Sequence, residues 1–237
     1  MSELKGKNVF ISGVSRGIGK SIAIEFAKEG CNIYGVARTK SDLDKLKLFL
    51  NESGVQSEFF AVDIGDFFKL KETLENFLSK TRIDILINNA GIGMFKNFVD
   101  YSYDEFDRVI KTNLYGVLNL TKLVLPGMIE NQNGDIVFIS SLAGKNTNPG
   151  STVYSATKFA LTGFAQSLML EVRQHNIRIC LVHPGSVDTD LIGNFNPTIN
   201  REKILKPEDI VQVILTFLKI PRRAMLSEFE IRPTNPK

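Results

Sequence analysis

Short apolar segments alternate with helix-like segments along almost the whole chain, and this alternation limits the folds that the chain can adopt. Repeated strand–helix alternation is typical of βαβ units, in which helices cover both faces of a parallel sheet. The pattern therefore predicts an α/β fold with a single doubly wound, parallel, seven-stranded sheet. The seven predicted strands are residues 8–12, 33–37, 59–62, 83–87, 135–139, 177–182 and 229–231.

The segments between these strands carry apolar residues at helical spacing and recognisable end signals. Ser41 is predicted to cap the second helix, and Ser102 with Glu105 forms a capping-box signal before a long fourth helix. Pro207 suits the first position of the last helix. Since no linker rich in Pro, Gly or Ser divides the chain, residues 1–237 are expected to form one domain. The predicted helices are residues 20–29, 42–54, 67–78, 103–128, 152–174 and 207–218.

The composition is that of an ordinary soluble protein, with 43% hydrophobic and 23% charged residues. The net charge of +3, from 29 basic and 26 acidic residues, is too balanced to indicate binding to nucleic acid or to an anionic membrane. Cys31 and Cys180 fall in apolar segments, which predicts buried free thiols, and the sequence holds no metal-ligand spacing. No apolar signal core begins the chain and no apolar run reaches ~20 residues, so we expect a cytoplasmic protein.

A glycine-rich turn joins the first predicted strand to the first predicted helix. Gly13, Gly17 and Gly19 have the spacing G-x-x-x-G-x-G, which differs from the G-x-G-x-x-G of the usual dinucleotide fingerprint. Backbone N–H groups and the helix dipole at such a turn can hold a pyrophosphate. The alternative is a tight turn that needs glycine only for its positive φ angles. We interpret the turn as the phosphate-binding loop of a Rossmann fold.

The end of the second predicted strand indicates which dinucleotide is bound. Enzymes that select NAD place an acidic residue there to bind the ribose 2′-hydroxyl, but here the strand leads into Arg38 and Thr39. Arg38 and Arg16 can both pair with a 2′-phosphate, although Arg38 can also be a solvated charge at the end of a strand. Asp63, after the third strand, can accept a hydrogen bond from the adenine amino group or cap the next helix. We therefore predict NADPH rather than NADH.

Tyr154 and Lys158 lie four residues apart in a predicted helix and so share one face. A free tyrosine has a pKa of about 10 and is a poor acid or base near neutral pH. A neighbouring ammonium group favours the phenolate and is expected to bring the pKa of Tyr154 into a useful range. Such pairs are common on surface helices, so the spacing alone is a weak signal. Its weight comes from the other motifs of the chain.

Together these motifs resemble those of the classical short-chain dehydrogenase/reductase family over nearly the whole chain. Each motif is weak alone, but their order and separations are specific. One departure is Ser12, where the family usually has threonine, and the hydroxyl group is kept. The motifs are the glycine turn, Asn88-Asn89-Ala90-Gly91, Asn113, Ser141, Tyr154, Lys158 and Pro184-Gly185.

The resemblance implies a role for each matching residue. It makes Tyr154 the acid that protonates a carbonyl oxygen during reduction, and Lys158 the group that lowers the tyrosine pKa and binds the nicotinamide ribose. Ser141, not Ser140, is implied to hold the substrate oxygen, because it lies thirteen residues before Tyr154 as in family members. Asn113 is implied to support a water relay to Lys158 by bending its helix locally. The cofactor-binding residues predicted from the resemblance and from the strand ends are Gly13, Ser15, Arg16, Gly17, Ile18, Gly19, Arg38, Asp63, Ile64, Asn89, Ala90, Gly91, Tyr154, Lys158, Pro184, Gly185, Val187 and Thr189.

The segment at about residues 190–206 is the usual place for a substrate lid in this family. It is short and turn-rich, with Gly193-Asn194-Phe195-Asn196-Pro197-Thr198 near its centre, and this favours a small or medium carbonyl substrate or an open site. His183 is predicted to be a hydrogen-bonded structural residue. The predicted pocket walls, each with core packing as the alternative, are Met94, Phe95, Leu142, Ser186, Leu191 and Ile192. Ser141 and Tyr154 complete the predicted substrate-binding set.

The leading prediction is an NADPH-dependent oxidoreductase that reversibly reduces ketone or aldehyde carbonyls. A second interpretation is 3-oxoacyl-[acyl-carrier-protein] reductase, but Gln132 and His175 stand where the carrier-binding arginines of such relatives are expected. The tail from Glu228 to Thr234 resembles relatives that act on small hydroxy acids and ketones. A third interpretation is a catalytically silent NADPH-sensing regulator, and the intact Asn–Ser–Tyr–Lys set argues against it.

The resemblance also implies a homodimer or homotetramer, since family members usually assemble through the fourth and fifth helices. A small-molecule substrate is the other expected partner, and neither nucleic acid nor a membrane is expected. The apolar residues that can form a subunit interface, or can equally belong to the intrachain core, are Leu114, Val117, Leu118, Phe164 and Leu168.

Overall fold

The computed structural model describes residues 4–195 and 198–235, and a parallel sheet runs through its centre. Its strands are β1 (Asn8–Ser12), β2 (Asn32–Ala37), β3 (Ser57–Ala61), β4 (Ile85–Asn88), β5 (Gly134–Ile139), β6 (Ile177–Pro184) and β7 (Glu228–Ile231). They pair in the order β3-β2-β1-β4-β5-β6-β7, and every pairing is parallel. The predicted α/β fold with a single parallel seven-stranded sheet is confirmed.

Helices lie on both faces of this sheet, as a doubly wound fold requires. The helices are α1 (Gly17–Lys28), α2 (Lys40–Asn51), α3 (Phe67–Leu78), α4 (Tyr103–Ile110), α5 (Gly116–Glu130), α6 (Thr152–Val172), α7 (Asp190–Phe195) and α8 (Pro207–Lys219). Apolar residues of α1, α2 and α8 form the core on one face, and those of α3, α5 and α6 form the core on the other. Strands β4, β5 and β6 are buried along their whole length, which explains why their sequences are mainly apolar rather than alternating.

Most helix ends follow their sequence signals, and two do not. Ser102 and Glu105 form the predicted capping box, and Pro207 opens α8. The assignment of Ser41 as a helix cap is wrong, because α2 begins at Lys40 and the N-cap position belongs to Thr39. Helix α1 also begins earlier than predicted, at the second glycine of the glycine turn. That turn is therefore part of the helix start rather than a loop in front of it.

The predicted long fourth helix is interrupted at Asn113, where the family resemblance implied a local bend. Helix α4 passes into a π-helical turn over Lys111–Tyr115, and α5 continues from there to Glu130. Asn113 lies in the middle of that turn. Such π-helical turns inside α-helices are frequent at functional sites because they release main-chain groups from the regular hydrogen-bond ladder. The implied local distortion of the helix is confirmed.

The direction in which the chain builds the sheet reverses between β1 and β4. From β1 the chain adds β2 and β3 on one side, and it then crosses back to pair β4 with the other side of β1. The loops after β1 and β4 therefore leave the sheet in different directions and open a crevice at its carboxyl edge. Ligands of open α/β sheets bind in such a crevice. Residues after β5 and β6 reach the same edge.

Both cysteines of the chain lie in the core. Cys31 and Cys180 are buried free thiols, as predicted, and burial is the main cause that raises the pKa of each to about 12. These thiols are packing residues rather than nucleophiles.

No helix within residues 4–195 and 198–235 is both long and apolar enough to cross a bilayer.

Candidate active site

A cleft of about 1090 Å³ lies at the carboxyl edge of the sheet and brings together nearly all of the predicted site residues. The glycine turn after β1, the loop after β4 and the segment after β6 form its walls. Of the predicted residues, Gly19 and Asn113 stand behind the walls rather than in them. The residues that match the family motifs in the sequence therefore lie close together in the fold.

The glycine turn is tight at all three glycines. Gly13 and Gly17 have φ angles of 69° and 53°, a region that side chains with a Cβ atom rarely adopt. A Cβ atom on Gly19 would lie 2.2 Å from the carbonyl oxygen of Gly13, so a side chain at this position cannot fit without displacing backbone. These constraints bring the N-terminus of α1 to the floor of the cleft, where it favours an anionic group.

A hydrogen-bond network ties the glycine turn to the loop after β4. The Ser12 hydroxyl accepts hydrogen bonds from the backbone N–H groups of Asn89 and Ala90, each at 3.0 Å. The Asn89 side-chain amide donates to the carbonyl oxygens of Ser12, at 3.0 Å, and Gly13, at 3.2 Å. The hydroxyl noted in the sequence thus connects the two loops that define the crevice.

The adenosine end of the cleft is open to solvent. Arg38 is exposed where β2 ends, and Arg16 is exposed at the start of α1, with its guanidinium 3.6 Å from the Asp190 carboxylate. Asp63 is exposed and accepts a hydrogen bond from the backbone N–H of Gly65 at 2.8 Å. Asp63 does not cap α3, because the side chain of Asp66 does so.

Asp42 also lines the adenosine end, close in sequence to Arg38, and sequence analysis did not single it out. Its carboxylate lies 3.8 Å from Lys45 on the next turn of α2. An acidic residue two positions into α2 could not be distinguished from an ordinary first-turn acid by sequence alone. The adenosine end therefore carries one carboxylate beside the guanidinium groups of Arg16 and Arg38.

At the opposite end of the cleft, Tyr154 and Lys158 are shielded from water and lie beside the half-buried Ser141. Tyr154 and Lys158 occupy successive turns of α6 and are 8% and 4% exposed. The Lys158 ammonium lies 5.7 Å from the centre of the tyrosine ring and donates to the carbonyl oxygen of Ile139 at 3.0 Å. Ser141 follows β5, and its hydroxyl accepts from the backbone N–H of Ala143 at 3.1 Å. The arrangement presents two hydroxyl groups and one ammonium group to the same small volume.

Burial controls the pKa values of this group. Burial raises the pKa of Tyr154 above its usual value, and the Ser141 hydroxyl acts in the opposite direction. Burial lowers the pKa of Lys158 to about 8. The expected lowering of the tyrosine pKa by the lysine is therefore wrong for this structure, because burial of the phenol is the largest influence on this pKa and the opposing one comes from Ser141. A protonated Tyr154 is the form required for a proton donor.

Asn113 holds the loop after β4 from behind. Its side-chain oxygen accepts from the backbone N–H of Ile92 at 2.8 Å, and its amide donates to the carbonyl oxygen of Ile92 at 2.9 Å. The amide also lies 3.3 Å from the Thr157 hydroxyl on α6. These bonds fix the distance between the π-helical turn, the cleft wall and α6. The implied water relay to Lys158 stays a prediction.

The substrate side of the cleft is lined by the residues that sequence analysis proposed, and Phe95 has the closest relation to the reactive group. Its ring centre lies 5.3 Å from that of Tyr154, with the planes inclined at 58°. The backbone around Phe95 is anchored, because Lys96 N–H donates to the carbonyl oxygen of Gly150 and Tyr101 donates its hydroxyl proton to the carbonyl oxygen of Met94. The Phe95 ring therefore limits the space beside the Tyr154 ring.

The predicted substrate segment is closed at its base. Val187 pairs with Leu205 in a parallel bridge, and the Asp188 carboxylate pairs with Arg201 at 3.0 Å and Lys206 at 2.9 Å. Between these anchors the segment contains the short helix α7 and a 3₁₀ turn at Arg201–Lys203. Asn196 and Pro197 of the predicted turn-rich centre lie outside the described residues.

The two histidines have different surroundings. His183 is fully buried on β6, and its Nδ1 atom lies 3.0 Å from the carbonyl oxygen of Ser141, so the predicted hydrogen bond is confirmed. His175 lies near the surface, with its Nδ1 atom 2.9 Å from the side-chain amide of Gln132. Gln132 and His175, where sequence analysis expects the carrier-binding arginines of acyl-carrier-protein reductases, are therefore neighbours in space.

Comparison with known proteins agrees with this fold and site. The family model described as short chain dehydrogenase matches residues 7–200. The 3-oxoacyl-[acyl-carrier-protein] reductase FabG of Thermotoga maritima is 36% identical over 222 residues, which cover 90% of each chain. The chain belongs to the short-chain dehydrogenase/reductase family, and its activity is that of an oxidoreductase acting on CH–OH and C=O groups.

Solved structures of relatives superpose closely on the chain. An alcohol dehydrogenase from the archaeon Thermococcus sibiricus, complexed with 5-hydroxy-NADP, has a TM-score of 0.89 at 29% identity and covers 97% of both chains. A 3-oxoacyl-[acyl-carrier-protein] reductase from Brucella melitensis with bound NAD has a TM-score of 0.85 at 27% identity, covering 97% of this chain and 90% of that one. Relatives of this shape thus bind either dinucleotide.

Proposed function

We propose that the protein is an NADPH-dependent carbonyl reductase in which Tyr154 is the general acid, acting as general base in the reverse direction. The observation that carries the proposal is the meeting of Tyr154, Ser141 and Lys158 at the dry end of a cleft whose other end holds the glycine turn. Family members with bound dinucleotides support the presence of a nicotinamide cofactor. The cofactor would supply the hydride, and the chain would supply position and a proton.

The two hydroxyl groups act on the carbonyl oxygen as negative charge develops there. Tyr154 gives its proton to that oxygen, and Ser141 donates a hydrogen bond to it. In comparable sites, removal of one such donor costs about 3 kcal/mol of transition-state stabilisation. The raised pKa of Tyr154 keeps the phenol protonated at neutral pH, which suits the direction of reduction.

Lys158 stabilises the charge that remains when the tyrosine has given up its proton. Its ammonium group is buried, and burial lowers its pKa to about 8, so below this pH the cationic form dominates. Protonated Lys158 favours the phenolate of Tyr154 after proton transfer. Asn113, through its bonds to Ile92 and Thr157, keeps α6 at a fixed distance from the cleft wall.

The preference for NADPH rests on charges at the open end. Arg16 and Arg38 line the cleft there and can pair with a 2′-phosphate. Asp42, which lines the same region, is the residue that favours a free 2′-hydroxyl. The exposed guanidinium at the strand end is the reason for our choice of NADPH. The ratio of kcat/KM for NADPH to that for NADH tests it, and a preference for NADH would reject it.

The reaction itself is tested with a panel of aldehydes, ketones, quinones and acyl thioesters, followed by the loss of NADPH absorbance. The variant Tyr154→Phe removes only the phenolic oxygen and is expected to abolish turnover while NADPH still binds, as measured by fluorescence titration. Tyr103→Phe, on the exposed surface of α4, is the matched control and should turn over normally. Turnover retained in Tyr154→Phe would show that this tyrosine is not the proton donor.

A second candidate, 3-oxoacyl-[acyl-carrier-protein] reductase, is favoured by the relative from Thermotoga maritima. The neighbouring Gln132 and His175 count against it, because a carrier of acidic character is bound best by permanent cations. The test compares acetoacetyl thioesters on carrier protein and on a small thiol. If delivery by carrier protein raises kcat/KM by more than about 10-fold, the interface contributes at least 1.4 kcal/mol and the carrier interpretation is correct.

We also propose a homodimer or homotetramer. Val117 and Leu168 are buried within the chain and belong to its core, whereas Leu114, Leu118 and Phe164 are partly exposed and can contribute to an apolar surface. Tyr115, at the end of the π-helical turn before α5, and Phe159 and Leu170, on α6, are exposed. Sedimentation of the protein measures the assembly, and a strict monomer would reject the proposed interface.

A further inference from the structure

The buried imidazole of His183 faces an acceptor at each of its two nitrogens. Nδ1 lies 3.0 Å from the main-chain oxygen of Ser141, and Nε2 lies 3.0 Å from the Oε1 atom of Glu228. A carbonyl oxygen can only accept a hydrogen bond, and so can a carboxylate. Within the described residues, Nε2 makes no hydrogen bond despite this proximity, and the Oε1 atom instead pairs with the Lys145 ammonium at 2.6 Å. The imidazole thus has one well-formed bond, which goes to Ser141.

Charged side chains continue this contact toward the surface. The Lys145 ammonium lies 2.6 Å from Glu228 and 2.9 Å from Glu230, and Arg232 lies 2.7 Å from the other oxygen of Glu230. Glu228, Lys145 and Glu230 are the charged groups that act on His183. Lys145 directly follows the 3₁₀ turn that begins after Ser141. The turn that carries Ser141 is therefore attached to β6 at one end and to β7 at the other.

The tautomer of His183 follows from these contacts. Nδ1 must carry a proton, because its neighbour is a carbonyl oxygen. Burial lowers the pKa of His183 and favours the neutral ring, in which Nε2 then has a lone pair toward Glu228. The Lys145 ammonium, 2.6 Å from the same Oε1 atom of Glu228, offsets the resulting repulsion. The neutral ring therefore keeps the bond to Ser141 and keeps Nε2 in place by packing.

We propose that His183 is a positioning residue for Ser141: its Nδ1–H group holds the main-chain oxygen of Ser141 and thereby sets the direction of the serine hydroxyl in the cleft. The inference rests on the proposed function, in which that hydroxyl binds the substrate oxygen. His183 itself contacts neither substrate nor cofactor. His183 precedes Pro184 and Gly185, which line the cleft, so its bond to Ser141 also connects the serine to that wall of the cleft.

A small displacement at this position has a large catalytic consequence. A misplacement of about 1 Å in a reactive group can cost about 100-fold in rate. Ser141 has extended backbone, with φ −169° and ψ 160°. Its hydroxyl accepts from the Ala143 N–H at 3.1 Å and is hydrogen-bonded to the side chain of Tyr154. Loss of the His183 bond leaves the main-chain oxygen of Ser141 with the Gly144 N–H, at 2.9 Å, as a donor from within the turn itself. The oxygen then loses its link to β6, and the turn is expected to move.

Two amide substitutions separate the two nitrogens of His183. The amide nitrogen of His183→Asn falls near Nδ1 and can still donate to Ser141, whereas that of His183→Gln falls near Nε2 and can reach only Glu228. We expect kcat to fall about 30-fold in His183→Gln and about threefold in His183→Asn, within the range for misplaced groups. The affinity for NADPH, measured by fluorescence, should change less than about twofold in both. His175→Gln, at the chain's other histidine, controls for loss of an imidazole and should leave kcat unchanged.

The experiment that decides the role is a double-mutant cycle with Ser141→Ala, measured with the carbonyl substrate that the wild-type protein reduces fastest. If His183 acts through the serine hydroxyl, His183→Gln should cost less than about threefold in kcat in the Ser141→Ala background. The same 30-fold loss in both backgrounds would show a general structural effect and overturn the inference, as would a wild-type kcat in His183→Gln. Absence of NADPH-dependent turnover in the wild-type protein would overturn both the proposed function and this inference, whereas turnover with equal losses overturns only the inference.

Discussion

The two ends of the cleft are built in different ways. At the reactive end, Tyr154, Lys158 and Asn113 are buried and held on regular elements. At the adenosine end, Arg16 and Arg38 are exposed and project from the first residues after a turn or a strand. Burial shifts the pKa values of Tyr154 and Lys158, whereas solvent screens the charges of Arg16 and Arg38. The chemistry is therefore expected to be sensitive to single atoms, and the choice of cofactor is expected to depend on small, additive charge effects.

The largest effect expected from this contrast is that of Ser141→Ala at the reactive end. Removing one hydroxyl donor to the developing oxyanion should lower kcat about 10²- to 10³-fold, with little change in NADPH affinity. Steady-state rates and a fluorescence titration measure the two quantities.

Ser140→Ala supplies the matched control, because Ser140 is the adjacent residue and is equally small. Its buried hydroxyl has no hydrogen-bond partner among the described residues, so its removal should leave kcat within about threefold and should not destabilise the fold. If the two alanine variants lose activity equally, Ser141 is not the oxygen-binding serine. The expected sensitivity of the reactive end to single atoms is then not supported.

The next effect concerns stability and follows from the buried ammonium group of Lys158. Its pKa falls from 10.5 to about 8 in the folded protein, so between these values the unfolded chain binds more protons than the folded one. Stability relative to Lys158→Met should therefore be lowest below about pH 8 and should rise as the pH increases through this window, by an amount on the order of 3 kcal/mol. Urea unfolding of the cofactor-free protein at several pH values measures it.

Lys122→Met, at an exposed lysine on α5, is the control for that measurement. Its stability difference from the wild-type protein should not vary with pH over the same range. If the stability difference between Lys158→Met and the wild-type protein also does not vary with pH, the lysine is hydrated in solution. The reactive end would then be less shielded from water than the structure indicates.

At the adenosine end, Arg38→Ala should reduce kcat/KM for NADPH about 10-fold and change the value for NADH less than about threefold, because one charge-assisted contact to a phosphate is lost. Asp42→Asn is the companion variant and should improve the use of NADPH modestly by removing a like charge from the phosphate site. If Arg38→Ala affects both cofactors equally, the arginine does not recognise the 2′-phosphate.

How much of this contrast was visible in the sequence depends on the length of chain that separates the partners. The glycine turn, the Tyr154–Lys158 pair and the capping box were predictable because residues within a few positions of each other determine them. The contacts of His183 with Ser141 and Glu228 span more than forty residues each and depend on the register of β5, β6 and β7. The approach of Phe95 to Tyr154 depends in the same way on how a loop is anchored.

The direction of the pKa shift at Tyr154 could not be predicted for a related reason. The helical spacing correctly placed an ammonium group near the phenol, but it carried no information on burial, which proved to be the larger influence. Burial is a property of the whole packed structure, since α6, the loop after β4 and the turn after β5 all contribute to it. Local spacing thus predicts which groups meet, and only the fold gives their energies.

The smallest expected effect is that of the ion pair between Arg16 and Asp190, which joins the adenosine end of the cleft to the substrate segment. The two side chains are 66% and 79% exposed and their charged atoms are 3.6 Å apart, so the pair contributes at most about 1 kcal/mol. Because Asp190 is the first residue of α7 in the substrate segment, the pair crosses the mouth of the cleft. Asp190→Asn releases Arg16 for a phosphate and should lower KM for NADPH by no more than about threefold, with kcat unchanged. The effect should vanish at high salt, where exposed charges are screened. A change in kcat, or an effect that persists in salt, would instead show that Asp190 controls the reactive end through α7.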